Sequence, residues 1–419
     1  MRTALLTAAL LVPACLTPED EIQKIPDRDD LTMRVLHTHL TNGLSEELTF
    51  EAPEGLQSVM MEVRGGKGLY YLTKFRTPHG ELIESASYTT RGAREVPGLV
   101  DWLYPNTPNL SLEPGEYKVL LRGETRGGDP VTEDVEIRLY AKAAGFETCG
   151  IHYDFLVDQN AIAASDIELA IDRSVVWVNN LYAQRGIRVL DYQITPITLP
   201  NPRFDVETES VTSQVDDVLA QARATSAARA DSVHIVVVRQ IGGADPSGYA
   251  MGLPGPFDAD RPNAAVLVST EAYTDGSGFL DVDGLASTIA HETGHFMGLY
   301  HTSESDGITS DPIPDTPTCN GTSCTPSFTT NIMTPGGGSS RVDVSDGQAF
   351  VLKQHPLCEP ATFDTTPPSC TLSCTAPETC SILGGNSACR QACDPADTTN
   401  TCTTGTCKPD DMGTFVCAP

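Results

Sequence analysis

The string His291-Glu292-Thr293-Gly294-His295-Phe296-Met297-Gly298-Leu299-Tyr300-His301 constrains the fold more than any other stretch of this chain. At about 100° per residue, His291 and His295 stand one above the other on a single helical face. Leu285, Ile289, Phe296 and Leu299 make an adjacent apolar stripe, so the spacing predicts a helix over 285–300 packed on a core. Gly298 can take the left-handed turn that ends the helix and sends the chain back, which brings His301 round towards the other two histidines. Three neutral imidazoles so gathered suit one Zn²⁺ at about 2.0–2.1 Å each, with a coordination position left open. Glu292 lies close to the same face and can reach a water on that ion as general base. A bare HExxH arises by chance in about one such sequence per hundred, and requiring Gly298 and His301 lowers that to roughly one in a hundred thousand.

The surroundings of this string alternate helix and strand. Ile151 to Val157 reads as a strand, Ser165 to Gln184 as a helix closed by Gly186, and Ile187 to Ile194 as a second strand. A helix follows over about 212–223, then the apolar β-branched run Val233 to Val238, a central strand, and a further strand Ala264 to Val268. The pattern describes an α/β domain over 146–358.

The flanks differ in kind. From 31 to 145, short alternating runs are broken by Arg64-Gly65-Gly66, Pro78-His79-Gly80, Glu113-Pro114-Gly115 and Arg126-Gly127-Gly128, which predicts an antiparallel β-sandwich. Residues 359–369 read as a linker, and 370–419 hold eight of the thirteen cysteines. So short a segment cannot bury an adequate core, which points to a disulfide-stabilised module outside a reducing cytosol. At the other end, Met1-Arg2-Thr3, an apolar run and Val12-Pro13-Ala14-Cys15 make a secretory signal over 1–15. Its last four residues resemble a bacterial lipobox with Cys15 as the lipidated residue, and ordinary cleavage after Ala14 is the other reading. Residues 16–30 are acidic and read as a tether. With 27 Lys+Arg against 56 Asp+Glu, the net charge of −29 excludes a nucleic-acid backbone as partner.

The eleven-residue string resembles the signature of the metzincin zinc metalloproteases. Asn331-Ile332-Met333 is similar to their Met-turn, with Met333 beneath the metal. Thr302 after the third histidine, the loop Asp311-Pro312-Ile313-Pro314-Asp315-Thr316-Pro317, and Gly248-Tyr249-Ala250 ahead of the helix resemble the pappalysin branch. Leu112 to Val119 resembles the last hairpin of the pre-peptidase β-sandwich that accompanies many secreted bacterial proteases. The resemblance implies a mixed sheet plus an active-site helix, His291, His295 and His301 on zinc, and Glu292 as catalytic base. It also implies protein or peptide substrates laid along an edge strand, for which Ala264 to Val268 is the candidate. Pro335 stands where the branch places a tyrosine two residues after the methionine, so assistance from that hydroxyl is in doubt here.

Several features keep two readings. Asp306, Asp311 and Asp315 suit Ca²⁺, as relatives of the branch have calcium near this loop, or form a solvated acidic loop. Cys149 and Cys358 can staple the ends of the α/β domain, or Cys149 can act as a thiolate on the zinc. Cys319 and Cys324 can close a small loop, while His152 and His234 read as structural. The functional expectation is an exported zinc endopeptidase of bacterial type, secreted or lipid-anchored, that meets a membrane only through that anchor. The alternative is a surface adhesion protein that uses the same fold as scaffold.

Overall fold

The computed structural model describes residues 22–363 and four strands at 378–383, 386–391, 406–409 and 415–418. Within the first span it leaves out 81, 85–95, 162–163, 200–202, 206–209, 225–228, 230, 243–246, 276–277, 279, 305–309, 321–322, 325–327 and 337–340. The chain divides into two units, residues 1–105 with 110–145 and residues 106–109 with 146–419.

The first unit is all antiparallel strand. Strands β1 (Ile22–Lys24), β2 (Leu31–Leu40), β3 (Leu48–Ala52), β4 (Leu56–Arg64), β5 (Leu69–Arg76), β6 (Leu82–Glu84), β7 (Leu99–Tyr104), β8 (Gly115–Glu124) and β9 (Glu133–Ala143) build two sheets. One has the order β1-β2-β9-β4-β7 and the other β3-β8-β5-β6. Side chains alternate in and out along β8 and β9, as a sheet with one buried face requires. The inward residues of both sheets, among them Val63, Trp102, Ile137, Phe50, Tyr117 and Leu121, join one apolar cluster. Phe50 stacks on Tyr117 at 5.2 Å between centroids, and the Tyr117 hydroxyl donates to the Glu113 carbonyl at 3.0 Å. Strand β1 lies in the stretch that composition reads as a tether. Ile22 to Lys24 nevertheless pair with Arg34 to Thr32, because three extended residues suffice to continue a sheet edge.

The second unit is built on a mixed sheet of β10 (Cys149–Asp158), β11 (Ile187–Ile197), β13 (Ser232–Val238), β15 (Gly248–Ala250) and β16 (Val266–Ser269), in the order β11-β10-β13-β16-β15. The first four in space run parallel, and β15 closes one edge antiparallel to β16. Helix α1 (Ala164–Tyr182) crosses over between β10 and β11, and Gly186 at φ +74° provides the turn after it. Strand β12 (Arg203–Asp205) pairs with β14 (Gln240–Gly242), and α2 (Ser210–Ala224) leads into β13. Val215, Val218 and Leu219 of α2 pack on Leu156, Val236, Val238 and Leu267 of one sheet face. Tyr153, which points to the other face, stands beside Thr293 of α3 (Val282–Phe296). Burial pushes the Tyr153 hydroxyl far above its ordinary pKa, so it stays neutral.

The small hairpin β17 (Cys319–Asn320) and β18 (Ser323–Cys324), helix α4 (Asp346–Gln354) and strand β19 (Glu359–Pro360) complete this part. A disulfide joins Cys149 to Cys358 with 5.3 Å between Cα atoms. It holds the chain so that Glu359 and Pro360, read from composition as linker, pair with Gly150 and Cys149. At the C-terminal end β20 (Glu378–Leu383) pairs with β21 (Asn386–Gln391), and β22 (Thr406–Pro409) with β23 (Phe415–Ala418). Among the described residues, no helix is long and apolar enough to cross a membrane.

Candidate metal centre

Helix α3 starts at Asp281, whose side chain accepts from the Gly284 amide, and from Gly284 onward every one of its residues is buried. It ends at Phe296 rather than Tyr300. Gly298 has φ +104°, a region open only to glycine, and it turns the chain back so that His301 faces the helix. The ring centroids of His291, His295 and His301 then lie 4.6, 5.3 and 4.6 Å apart. His291 and His295 are buried, while His301 is half-buried and opens the centre to solvent.

Each imidazole is fixed through Nδ1. His291 Nδ1 donates to the Ile332 carbonyl at 2.6 Å, His295 Nδ1 to the Leu299 carbonyl at 2.7 Å, and His301 Nδ1 meets Glu304 Oε2 at 3.1 Å. An oxygen of a carbonyl or carboxylate can only accept, so Nδ1 carries the proton and Nε2 carries a lone pair. His295 Nε2 and His301 Nε2 face each other at 3.1 Å. Two lone pairs at that distance repel unless a cation lies between them. Two nitrogens on one tetrahedral zinc stand about 3.3 Å apart, given bonds of about 2.0–2.1 Å. The donor set therefore fits zinc, and the Nδ1 bonds supply the orientation that such ligands need.

The floor is formed by the turn at Asn331-Ile332-Met333. A Cβ at Gly294 would stand 2.7 Å from Met333 Sδ, so a glycine in the helix is what admits the methionine. The turn itself hangs on an amide pair. Asn331 Nδ2 donates to Gln348 Oε1 and Gln348 Nε2 donates to Asn331 Oδ1, each at 2.9 Å. Asn331 Oδ1 also accepts from the Met333 amide at 2.9 Å. Gln348 closes the capping box of α4 with Ser345, so this helix carries the turn that orients His291.

Glu292 is buried, and its Oε2 accepts from the Ala250 amide of β15 at 2.8 Å. Gly248 leaves room for it, since a Cβ there would meet Glu292 Cγ at 2.6 Å. The sheet edge beside the helix is thus β15. Strand β16 (Val266–Ser269), which overlaps the run Ala264 to Val268 read from the sequence as the substrate strand, is paired on both sides, with β13 and with β15. Its backbone groups are taken, so it cannot accept a further strand.

In the acidic loop the described carboxylates meet hydrogen-bond donors of the chain itself. Asp311 Oδ1 accepts from the Ile313 amide at 3.1 Å and the Thr316 hydroxyl at 2.6 Å, and burial raises the carboxyl to about pKa 7. Asp315 accepts from the Ser345 hydroxyl at 2.8 Å and the Gly347 amide at 2.9 Å, at the start of α4. These two acids hold the loop and the helix, and among the described residues they do not gather with a third ligand. Asp306 and Cys15 lie outside the described residues. Cys149 is occupied by its disulfide, which removes it as a zinc thiolate. Cys319 pairs in register with Cys324 across the small hairpin. Pro335 leaves the position after the turn without a hydroxyl.

Sequence reasoning did not find Glu304, Gln348 or the Ala250 amide. Glu304 had a faint signal, an acid three residues after His301. Gln348 had another, a glutamine three residues after Ser345.

The sequence model of metallo-peptidase family M12 matches residues 155–345, a span that includes all three histidines and Glu292. This supports a metallopeptidase domain in that part of the chain. No curated protein matches the chain. Among solved structures the chain is similar to a chaperone-substrate complex at 12% identity, covering 52% of this chain and 39% of the other with a TM-score of 0.34. It is similar to metalloproteinase-II from Bacteroides fragilis at 10% identity, over 54% and 63%, with a TM-score of 0.32. A family two carbohydrate esterase from Clostridium thermocellum in complex with cellohexaose follows at 9%, over 52% and 74%, with a TM-score of 0.13. Scores at this level carry no argument about fold. The chain spans 39% and 63% of the first two.

Proposed function

We propose that the chain is a zinc-dependent endopeptidase of the metzincin type, nearest the pappalysin branch, which hydrolyses peptide bonds of proteins outside the cytoplasm. One observation carries the reading. The Nε2 lone pairs of His295 and His301 converge at 3.1 Å, with His291 beside them and Glu292 next along the helix. Zinc held by the three histidines would acidify water towards pKa 7 and polarise a scissile carbonyl.

The chain's own residues do the rest. Glu292 accepts the proton of the attacking water and returns it to the leaving amine. The Ala250 amide keeps its carboxylate in one orientation beforehand. Met251 donates to Ala265 and Ser269 to Ser247, so these residues face β16, while the Gly248 and Ala250 backbone faces outward. The Ala250 amide on that edge is already held by Glu292, so an extended substrate added at β15 would meet the Gly248 backbone and the Ala250 carbonyl. His301 is half-buried, so a substrate would reach the three histidines from its side.

The flanking parts belong to the same proposal. The first unit is read as an accessory β-sandwich, supported by the single core its two sheets share. The C-terminal segment is read as a disulfide module, supported by registers that set Cys380 opposite Cys389 and Cys407 opposite Cys417. Export follows from the signal at residues 1–15 and from these cysteines, with a lipid on Cys15 as the anchor.

The experiment is metal removal and return. Chelation should abolish hydrolysis of a mixed peptide library, and one equivalent of zinc should restore it. Hydrolysis that survives complete zinc removal would refute the proposal.

A further inference from the structure

A second constellation of metal-binding side chains lies on the sheet face opposite α3. His152, Asp154 and Leu156 alternate along β10 onto the face that α2 covers, whereas Tyr153 points to α3. The His152 side chain is only 8% exposed. Its Nδ1 is bonded to Asp191 Oδ1 of β11, and its Nε2 stands 2.8 Å from Glu359 Oε1 of β19. Asp231, just ahead of β13, brings a carboxylate oxygen to the same place. One donor atom from each of His152, Asp231 and Glu359 lies within 4.8 Å of the others.

We propose that His152, Asp231 and Glu359 form a second, structural zinc site that clasps the segment after Cys358 to the start of the catalytic sheet. Four features support it.

The first is that the imidazole is oriented as a ligand. Asp191 holds Nδ1, the carboxylate–histidine arrangement that fixes metal-bound histidines, and Nε2 is hydrogen-bonded to Glu359 Oε1 at 2.8 Å, where zinc would take the place of the shared proton.

The second is that the acids are also held from behind. Arg229 Nη1 donates to Asp191 Oδ2 at 3.0 Å, while Nε and Nη2 donate to Asp231 Oδ1 and Oδ2 at 3.0 and 3.1 Å. A carboxylate has about four lone-pair sites, so Asp231 retains acceptor capacity for a cation.

The third is charge. Asp191, Asp231 and Glu359 bring three carboxylates against the single guanidinium of Arg229, an acidic excess that a divalent cation would offset.

The fourth is rigidity. The ligands sit on or beside three strands, and the Cys149–Cys358 disulfide fixes Glu359 one residue from the bridge. One imidazole and two carboxylates suit zinc, and the partly exposed acids provide a way in.

The test is zinc stoichiometry on the purified protein, stripped with chelator and titrated with zinc chloride at neutral pH. Metal content by mass spectrometry and calorimetry are the readouts. Wild type should hold two zinc ions, and Glu359→Gln, which keeps the shape and loses the charge, should hold one. Asp231→Asn should repeat that loss, and His295→Ala should also hold one, by losing the other ion. If wild type holds one ion and His295→Ala none, the second site is refuted and the histidine triad stands. If wild type holds one ion that Glu359→Gln loses and His295→Ala keeps, the second site stands and the triad reading fails. Two ions retained in both Glu359→Gln and Asp231→Asn would overturn the assignment.

Discussion

Asn331→Ala removes the side chain on which the turn beneath the metal hangs. The wild-type amide makes three hydrogen bonds, two with Gln348 and one from the Met333 amide, all at 2.9 Å within a buried site. After truncation Gln348 Oε1 keeps its bond from the Ser345 amide at 3.0 Å. The Met333 amide and Gln348 Nε2 lose these bonds, at about 1–3 kcal/mol for each buried donor. The variant should therefore lose about 2–6 kcal/mol against urea unfolding. The Ile332 carbonyl also loses its fixed place, and it orients His291 through a 2.6 Å bond. Zinc affinity should fall by about 10–100-fold, the usual cost of an outer-shell partner. A double-mutant cycle with Gln348→Ala should give a coupling of at least about 1 kcal/mol, since the two amides satisfy each other. A loss under 1 kcal/mol together with unchanged zinc affinity would show that the amide pair does not hold the turn.

Three further outcomes follow from the same structure. Replacing both Cys149 and Cys358 by alanine frees a loop of 209 residues and should cost about 5 kcal/mol by loop-closure entropy, read as a lowered urea midpoint. Asp311 is protonated more readily in the fold than in the unfolded chain, so its contribution is greatest below pH 4, declines as pH rises towards 7 and stays low above that. Asp311→Asn, which keeps the acceptor oxygen, should remove about 2–4 kcal/mol of that decline in unfolding measured from pH 4 to 8. Calcium at this loop would instead make wild type more stable at pH 8 on adding the ion, an effect absent in the variant.

The metal centre was legible because its three ligands follow from helical spacing and one turn. His291 and His295 need only the 3.6-residue period, and Gly298 announces the reversal that delivers His301. What holds the ligands was not legible. Ile332 and Leu299 act through backbone carbonyls, and a carbonyl carries no residue identity. Gln348 reaches Asn331 across 17 residues that no local period connects. The edge strand was misplaced for a physical reason. Ala264 to Val268 is apolar throughout because both its faces are covered, which marks an interior strand. The true edge, Gly248 to Ala250, is three residues long and shows no alternation to read. Asp311 and Asp315 kept two readings, calcium ligands or a solvated acidic loop, because clustered acids look alike whether they face an ion, water or backbone amides. In this fold they cap a loop and a helix. His152 was read as structural, yet it lies among acids brought together from residues 191, 231 and 359. Only the register of the sheet assembles that group.

Glu292 is the residue to which the proposed reaction assigns the proton transfer. Cleavage of a diverse peptide library by zinc-loaded protein, wild type against Glu292→Gln, tests it most directly. Wild type should cleave the library, and the variant should lose at least about 100-fold at equal zinc content. Wild type that holds zinc on the three histidines and cleaves nothing, or a Glu292→Gln protein as active as wild type, would contradict it.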